Sequence, residues 1–165
     1  MTESEGDAAV VVLVVEDETL VRLLANDILT DAGYRVLEGR DGQEALTILE
    51  VHGGVRVLVT DITMPNVDGI SLANIVRARW PQIGIVITSG AMPEATNLVI
   101  PEWARFLRKP YASEALLRAV EAVLADTAEV EAPGAPLALA SIPNLQAGQM
   151  HGAGGLAQPL AEPDE

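Results

Sequence analysis

Two observations predict a doubly wound α/β fold, a (βα)5 arrangement around one parallel sheet. Five short Val/Ile/Leu-rich runs recur along the chain, at 10–15, 34–38, 55–60, 84–89 and 104–108. The segments between them carry helical spacing. The runs lack clean polar alternation, as strands covered on both faces do. Strict alternation of strand and helix implies a parallel sheet with right-handed crossovers and helices on both sides.

Each element has its own warrant. "VVVLVV" (10–15) is the first strand. "ETLVRLLANDILTDAG" follows, with Leu20, Leu23, Leu24 and Ile28 expected on its inward face and Gly33 as its C-terminal cap. "YRVLE" is the second strand, and "DGQEALTILE" opens with Asp41 and Glu44 at capping-box spacing. "VRVLVT" leads to a helix that starts after Asp68 and stops at Pro81. "GIVITS" leads to a short, proline-bounded helix beginning at Pro93. "ARFLR" is the fifth strand, and "SEALLRAVEAVLAD" is an amphipathic final helix. The natural strand order is the flavodoxin-like 2-1-3-4-5.

Composition separates the chain into parts. Residues 1–8 read as a flexible N-terminus and 9–125 as the folded domain. Residues 126–165 hold 9 Ala, 5 Gly and 5 Pro with no lysine or arginine, and read as a disordered acidic tail. The net charge of -14 repels phosphate backbones and anionic lipid, so neither nucleic acid nor membrane is an expected partner. There is no cysteine and hence no thiolate metal site. The N-terminus is acidic, unlike a secretory leader, and a cytoplasmic protein is expected.

In open α/β sheets the chemistry lies at the C-terminal strand ends. The first strand there delivers Glu16, Asp17 and Glu18, the third Asp61, the fourth Thr88 and Ser89, and the fifth Lys109. The second ends in Glu38 and Gly39, at the sheet edge, and is expected to add nothing comparable. Three carboxylates brought together repel one another, and a hard divalent cation removes that conflict. Oxygen-only ligands favour Mg²⁺ over zinc. One carboxylate is then left as a possible nucleophile, since Asp can form an acyl phosphate. Lys109 is the only lysine in the chain, and its compact charge suits a phosphoryl oxygen across the rim.

"VLVVEDE", "LVTDITMPNVDG", "VITSG" and "FLRKPY", in this order and spacing, resemble the receiver domain of bacterial two-component response regulators. The likeness runs from Val10 to Ala125, 116 of 165 residues, and is closest to the single-domain, chemotaxis-regulator-like type. It implies that Asp61 accepts a phosphoryl group from a histidine kinase or histidine phosphotransfer protein. It implies that Asp17, Asp61 and the backbone carbonyl of Thr63 bind Mg²⁺, with Glu16 assisting through water. It casts Ser89 and Phe106 as the switch pair, Lys109 as the phosphoryl-binding lysine and the Lys109–Pro110 bond as cis. Pro65 and Gly69 would shape the loop after Asp61. The implied role is a phosphorylatable signalling module and not an enzyme in the ordinary sense. Its output would be contact with a downstream protein or withdrawal of phosphate from a kinase. As a monomer or weak dimer, it would use the face of the fourth helix, fifth strand and fifth helix.

Blander roles accompany these. Glu18 and Asp68 read as helix caps. Thr88 neighbours Ser89 as a switch candidate, and Phe106 could be plain core. Trp80 and Trp103 read as packing residues, and His52 and His151 as solvated. Two other functions compete. A haloacid-dehalogenase-type phosphatase would want a second Asp where Thr63 stands. A phosphorylation-independent interaction module would not need the set Glu16, Asp17, Asp61, Ser89 and Lys109.

Overall fold

The computed structural model describes residues 8–128. Residues 1–7 and 129–165, with His151 and nearly all of the expected tail, lie outside the described residues. In chain order the elements are β1 (Val11–Val15), α1 (Thr19–Asp31), β2 (Arg35–Gly39), α2 (Gly42–Val51) and β3 (Val55–Asp61). They continue as α3 (Gly69–Arg79), β4 (Gly84–Ser89), α4 (Pro93–Thr96), β5 (Ala104–Arg108) and α5 (Ser113–Ala128). The sheet is parallel throughout, in the order β2-β1-β3-β4-β5.

Alternation along the central strands builds two cores. Leu13, Val15, Leu58, Ile85 and Ile87 meet Ala45, Leu49, Leu72 and Val76 from α2 and α3. Val12, Val14, Val57, Val59 and Val86 meet Ala25, Leu29, Leu116, Val120 and Val123 from α1 and α5. Leu13, Leu29, Leu58, Leu72 and Leu116 retain no exposed surface, and each such burial contributes roughly 1.5–3 kcal/mol.

Caps follow the sequence at α2 and α3. Asp41 accepts from Glu44 N–H at 2.8 Å, and Asp68 from Ser71 N–H at 2.9 Å. Gly33 takes the positive φ of 101° beyond α1. Trp80 and Trp103 pack half-buried against the α2/α3 core, with the guanidiniums of Arg79 and Arg77 over their rings. His52 caps the end of α2, exposed.

Two expectations for α1 are corrected. Leu20, Leu23 and Leu24 are 76%, 46% and 52% exposed, while Ala25 and Leu29 are buried with Ile28 beside them. The helix carries two apolar stripes, and the sheet takes the one containing small Ala25, which lets the backbones approach closely. Glu18 sits at the N-cap of α1 but its side chain makes no capping hydrogen bond. The fourth helix is a single turn, closed by Asn97 in the left-handed region at φ 57°.

Candidate functional site

The ends of β1, β3, β4 and β5 converge as the strand order requires. Glu16 and Asp17 follow β1, Asp61 ends β3, Ser89 ends β4 and Lys109 follows β5. Glu16, Asp17 and Asp61 each offer a carboxylate oxygen, and the three oxygens lie within 4.8 Å of one another. Glu16 and Asp61 are buried and Asp17 is exposed. Lys109 Nζ reaches both buried acids, at 2.9 Å from Glu16 Oε2 and 3.4 Å from Asp61 Oδ1. The peptide bond from Lys109 to Pro110 is cis, and Lys109 N–H donates to the Ser89 carbonyl at 2.8 Å.

The electrostatics follow from this packing. Burial raises the Asp61 carboxyl above its ordinary value, against the charge and hydrogen bond of Lys109. Burial raises Glu16 as well, against the Lys109 hydrogen bond and reinforced by the charge of Asp61. Burial would lower Lys109, but its bonds to Glu16 and Asp61 prevail and leave it raised. Tyr111 is raised by burial first and by the charge of Glu16 second. An all-oxygen cluster of three acids facing one lysine is a donor set for a hard cation, so the residues fit the ion the acids imply.

The loop after Asp61 is held by close backbone contact. A Cβ on Gly69 would stand 2.0 Å from the Asp61 carbonyl oxygen, so only glycine fits. Gly69 N–H donates to the Ile62 carbonyl at 2.9 Å. Thr63 is exposed at the start of this loop, and its carbonyl accepts no hydrogen bond among the described residues. Pro65 is exposed beyond it.

Ser89 is buried, and its Oγ accepts from Ala91 N–H at 3.1 Å. Thr88, in register with Asp61, turns its hydroxyl toward the Thr60 carbonyl at 3.5 Å. Phe106 belongs to neither core cluster. It lies half-exposed in an open groove between β5 and α5, with Arg105, Leu107, Ala115, Arg118 and Ala119.

Sequence reasoning missed three contributors. Arg22, in α1, donates from Nη1 to the Glu16 carbonyl at 2.7 Å and from Nε to Glu38 Oε1 at 3.0 Å. Glu38, from the strand expected to add nothing, is thereby joined to the rim. The only sequence signal was an arginine early in an amphipathic helix, and its partners lie on other elements. Tyr111 was also missed; it shares a cleft of about 270 Å³ with Glu18, Val21, Leu24, Lys109 and Pro110.

Fold and rim together define a doubly wound α/β module with an acidic, lysine-bearing site at its carboxyl edge. The family model for the response regulator receiver domain matches residues 12–121, and the chain belongs to that family. It is 32% identical over 117 residues to chemotaxis protein CheY1 of Helicobacter pylori, covering 68% of this chain and 94% of that protein. It is 37% identical over 126 residues to sensor kinase CckA of Brucella abortus. That match covers 74% of this chain and only 13% of the kinase. A solved response regulator receiver protein from Sinorhizobium medicae superposes with a TM-score of 0.65 at 32% identity. It covers 72% of this chain and 97% of the other. Receiver domains are signalling modules that interact with histidine kinases and phosphotransfer proteins. Among the described residues no helix is long and apolar enough to cross a membrane.

Proposed function

We propose that this chain is a single-domain response regulator. Asp61 accepts a phosphoryl group from a histidine kinase or histidine phosphotransfer protein with Mg²⁺ present. The observation that carries this reading is Asp61 itself, buried at the rim within 4.8 Å of Glu16 and Asp17 and held by Lys109.

The chemistry follows from the positions. An Asp61 oxygen attacks phosphorus in line, the new O–P bond forms, and the P–N bond to the donor histidine breaks. Asp17, Asp61 and the Thr63 carbonyl, with Glu16 through water, would hold Mg²⁺, which would neutralise the charge that gathers there. Lys109 exchanges its bond to Asp61 for one to a phosphoryl oxygen. Ser89 Oγ already accepts from Ala91 N–H, so its own proton is available to a second phosphoryl oxygen. Movement of Ser89 toward Asp61 then couples to Phe106, which has open space beside it.

A cytoplasmic site and output through protein contact, or a role as phosphate sink, complete the reading. The α4–β5–α5 face is the proposed site of any weak dimer, with α4 contributing a single turn.

Intact mass after incubation with a small acyl-phosphate donor tests the chemistry, with and without Mg²⁺, on wild type and Asp61→Asn. One phosphoryl adduct that requires both Mg²⁺ and Asp61 is expected. An adduct that persists in Asp61→Asn would remove Asp61 as the acceptor.

A further inference from the structure

We infer that Arg22 and Glu38 are positioning residues for the acidic cluster, setting its affinity for a divalent cation by clamping the Glu16–Asp17 peptide. The inference rests on the metal reading above and concerns how this chain builds that site.

Asp17 is the exposed member of the three acids, and its carboxylate has no hydrogen-bond partner among the described residues. Its aim is therefore set by the backbone. The peptide plane that leads into Asp17 contains the Glu16 carbonyl, and Arg22 Nη1 holds that oxygen at 2.7 Å. The other side of Glu16 is fixed too, because its N–H donates to the Gly39 carbonyl at 3.0 Å. Glu16 Oε1 in turn accepts from Glu18 N–H at 3.2 Å. Every polar group of Glu16 is thus engaged, and the carbonyl depends on one side chain.

Arg22 is itself held. Its side chain is 11% exposed, and Nε donates to Glu38 Oε1 at 3.0 Å. Glu38 Oε2 accepts from Asn26 Nδ2, and Asn26 Oδ1 accepts from Thr30 Oγ1 at 2.8 Å. A chain of hydrogen bonds therefore runs from the side of α1 through the end of β2 to the peptide that carries Asp17. A cation early in a helix gains nothing from the helix dipole, so this placement is not a capping device. Guanidinium geometry is what the job needs. Its rigid fork presents Nη1 to a carbonyl and Nε to a carboxylate from two fixed nitrogens, a geometry that the single nitrogen of an ammonium does not reproduce. Groups that orient metal ligands without touching the metal commonly change affinity by 10–100-fold when removed.

The test uses the full chain and Mg²⁺ alone, titrated calorimetrically, with thermal melts in chelator run beside it. Arg22→Gln is expected to raise the Mg²⁺ dissociation constant by about tenfold or more. Glu38→Gln is expected to raise it less, since Arg22 keeps its bond to the carbonyl. Arg22→Lys retains the charge and is expected to remain weaker than wild type. Wild-type affinity in a folded Arg22→Gln, with only its melting point lowered, would overturn the proposal and leave Arg22 a structural residue. Full rescue by Arg22→Lys would overturn the clamp in favour of simple charge. Should Arg22→Gln fail to fold, Glu38→Gln and Arg22→Lys decide the matter, and unchanged affinity in both would sink it. If wild type itself binds no Mg²⁺, the metal reading fails and this inference falls with it. If wild type binds and the variants match it, only this inference fails.

Discussion

Asp61→Asn should stabilise the protein in chelator. The substitution keeps the shape of a buried side chain and removes one charge from a crowded site. Asp61 has two acids with an oxygen within 4.8 Å and one ammonium at 3.4 Å. At an effective dielectric of about 20, charges at the first distance repel by about 3.5 kcal/mol each, and charges at the second attract by about 5 kcal/mol. Asp17 is exposed, and its share must be discounted for screening. Undiscounted, the repulsions exceed the attraction by about 2 kcal/mol and screening of Asp17 removes most of that, so the burial that raises the Asp61 carboxyl decides the sign and favours the neutral amide by on the order of 1 kcal/mol. Urea unfolding in chelator should show a higher midpoint with an unchanged slope, and a melting point about 3–6 °C higher. Saturating Mg²⁺ should reverse the order, because wild type then gains binding energy that the variant lacks. A variant equal to or weaker than wild type in chelator would refute the reasoning, since Lys109 would then already compensate the acids in full.

Two further substitutions test the surroundings of the site. Gly69→Ala places a methyl 2.0 Å from the Asp61 carbonyl oxygen, backbone against backbone. It should cost at least about 1–3 kcal/mol in urea unfolding and slow adduct formation at Asp61, whereas Gly53→Ala, with nothing within 4 Å, should be nearly neutral. Asp68→Ala removes the α3 cap and should cost about 1 kcal/mol at neutral pH. The Ser71 N–H holds Asp68 below its ordinary 3.8, so the cap contributes above that value and is lost as pH falls through the lowered folded one. Wild-type and variant denaturation midpoints should therefore converge in acid below 3.8; a constant gap would mean the cap acts through something other than its charge.

The fold was legible because its signals are local. β3, β4 and β5 carry their own apolar runs, and the prolines that bound α4 predicted its brevity. Glu16, Asp17, Asp61, Ser89 and Lys109 were legible for a related reason. Each stands at a strand end, and parallel topology carries strand ends to one rim without further information. The inward stripe of α1 was not legible. "TLVRLLANDILTD" offers leucines at 20, 23, 24 and 29, and helical spacing alone does not say which set meets the sheet. The choice is made in the core, where Ala25 and Leu29 pack with Val12, Val57 and Val120.

Arg22 and Glu38 failed to declare themselves for a deeper reason. Their bonds join residues 16 apart in sequence, across α1 and the edge strand β2. No spacing rule connects them, and a charged pair at a sheet edge reads by default as a solvated surface. Lys109 differs because it is a singular residue at a strand end, so composition alone marked it, although its partner Glu16 lies 93 residues away. A site built this way has two layers of information. The groups that the strands bring to the rim are written as motifs at the ends of strands. The groups that hold the first set in place are written only in tertiary contact, and they are found by asking, for each ligand, what fixes the peptide it hangs from.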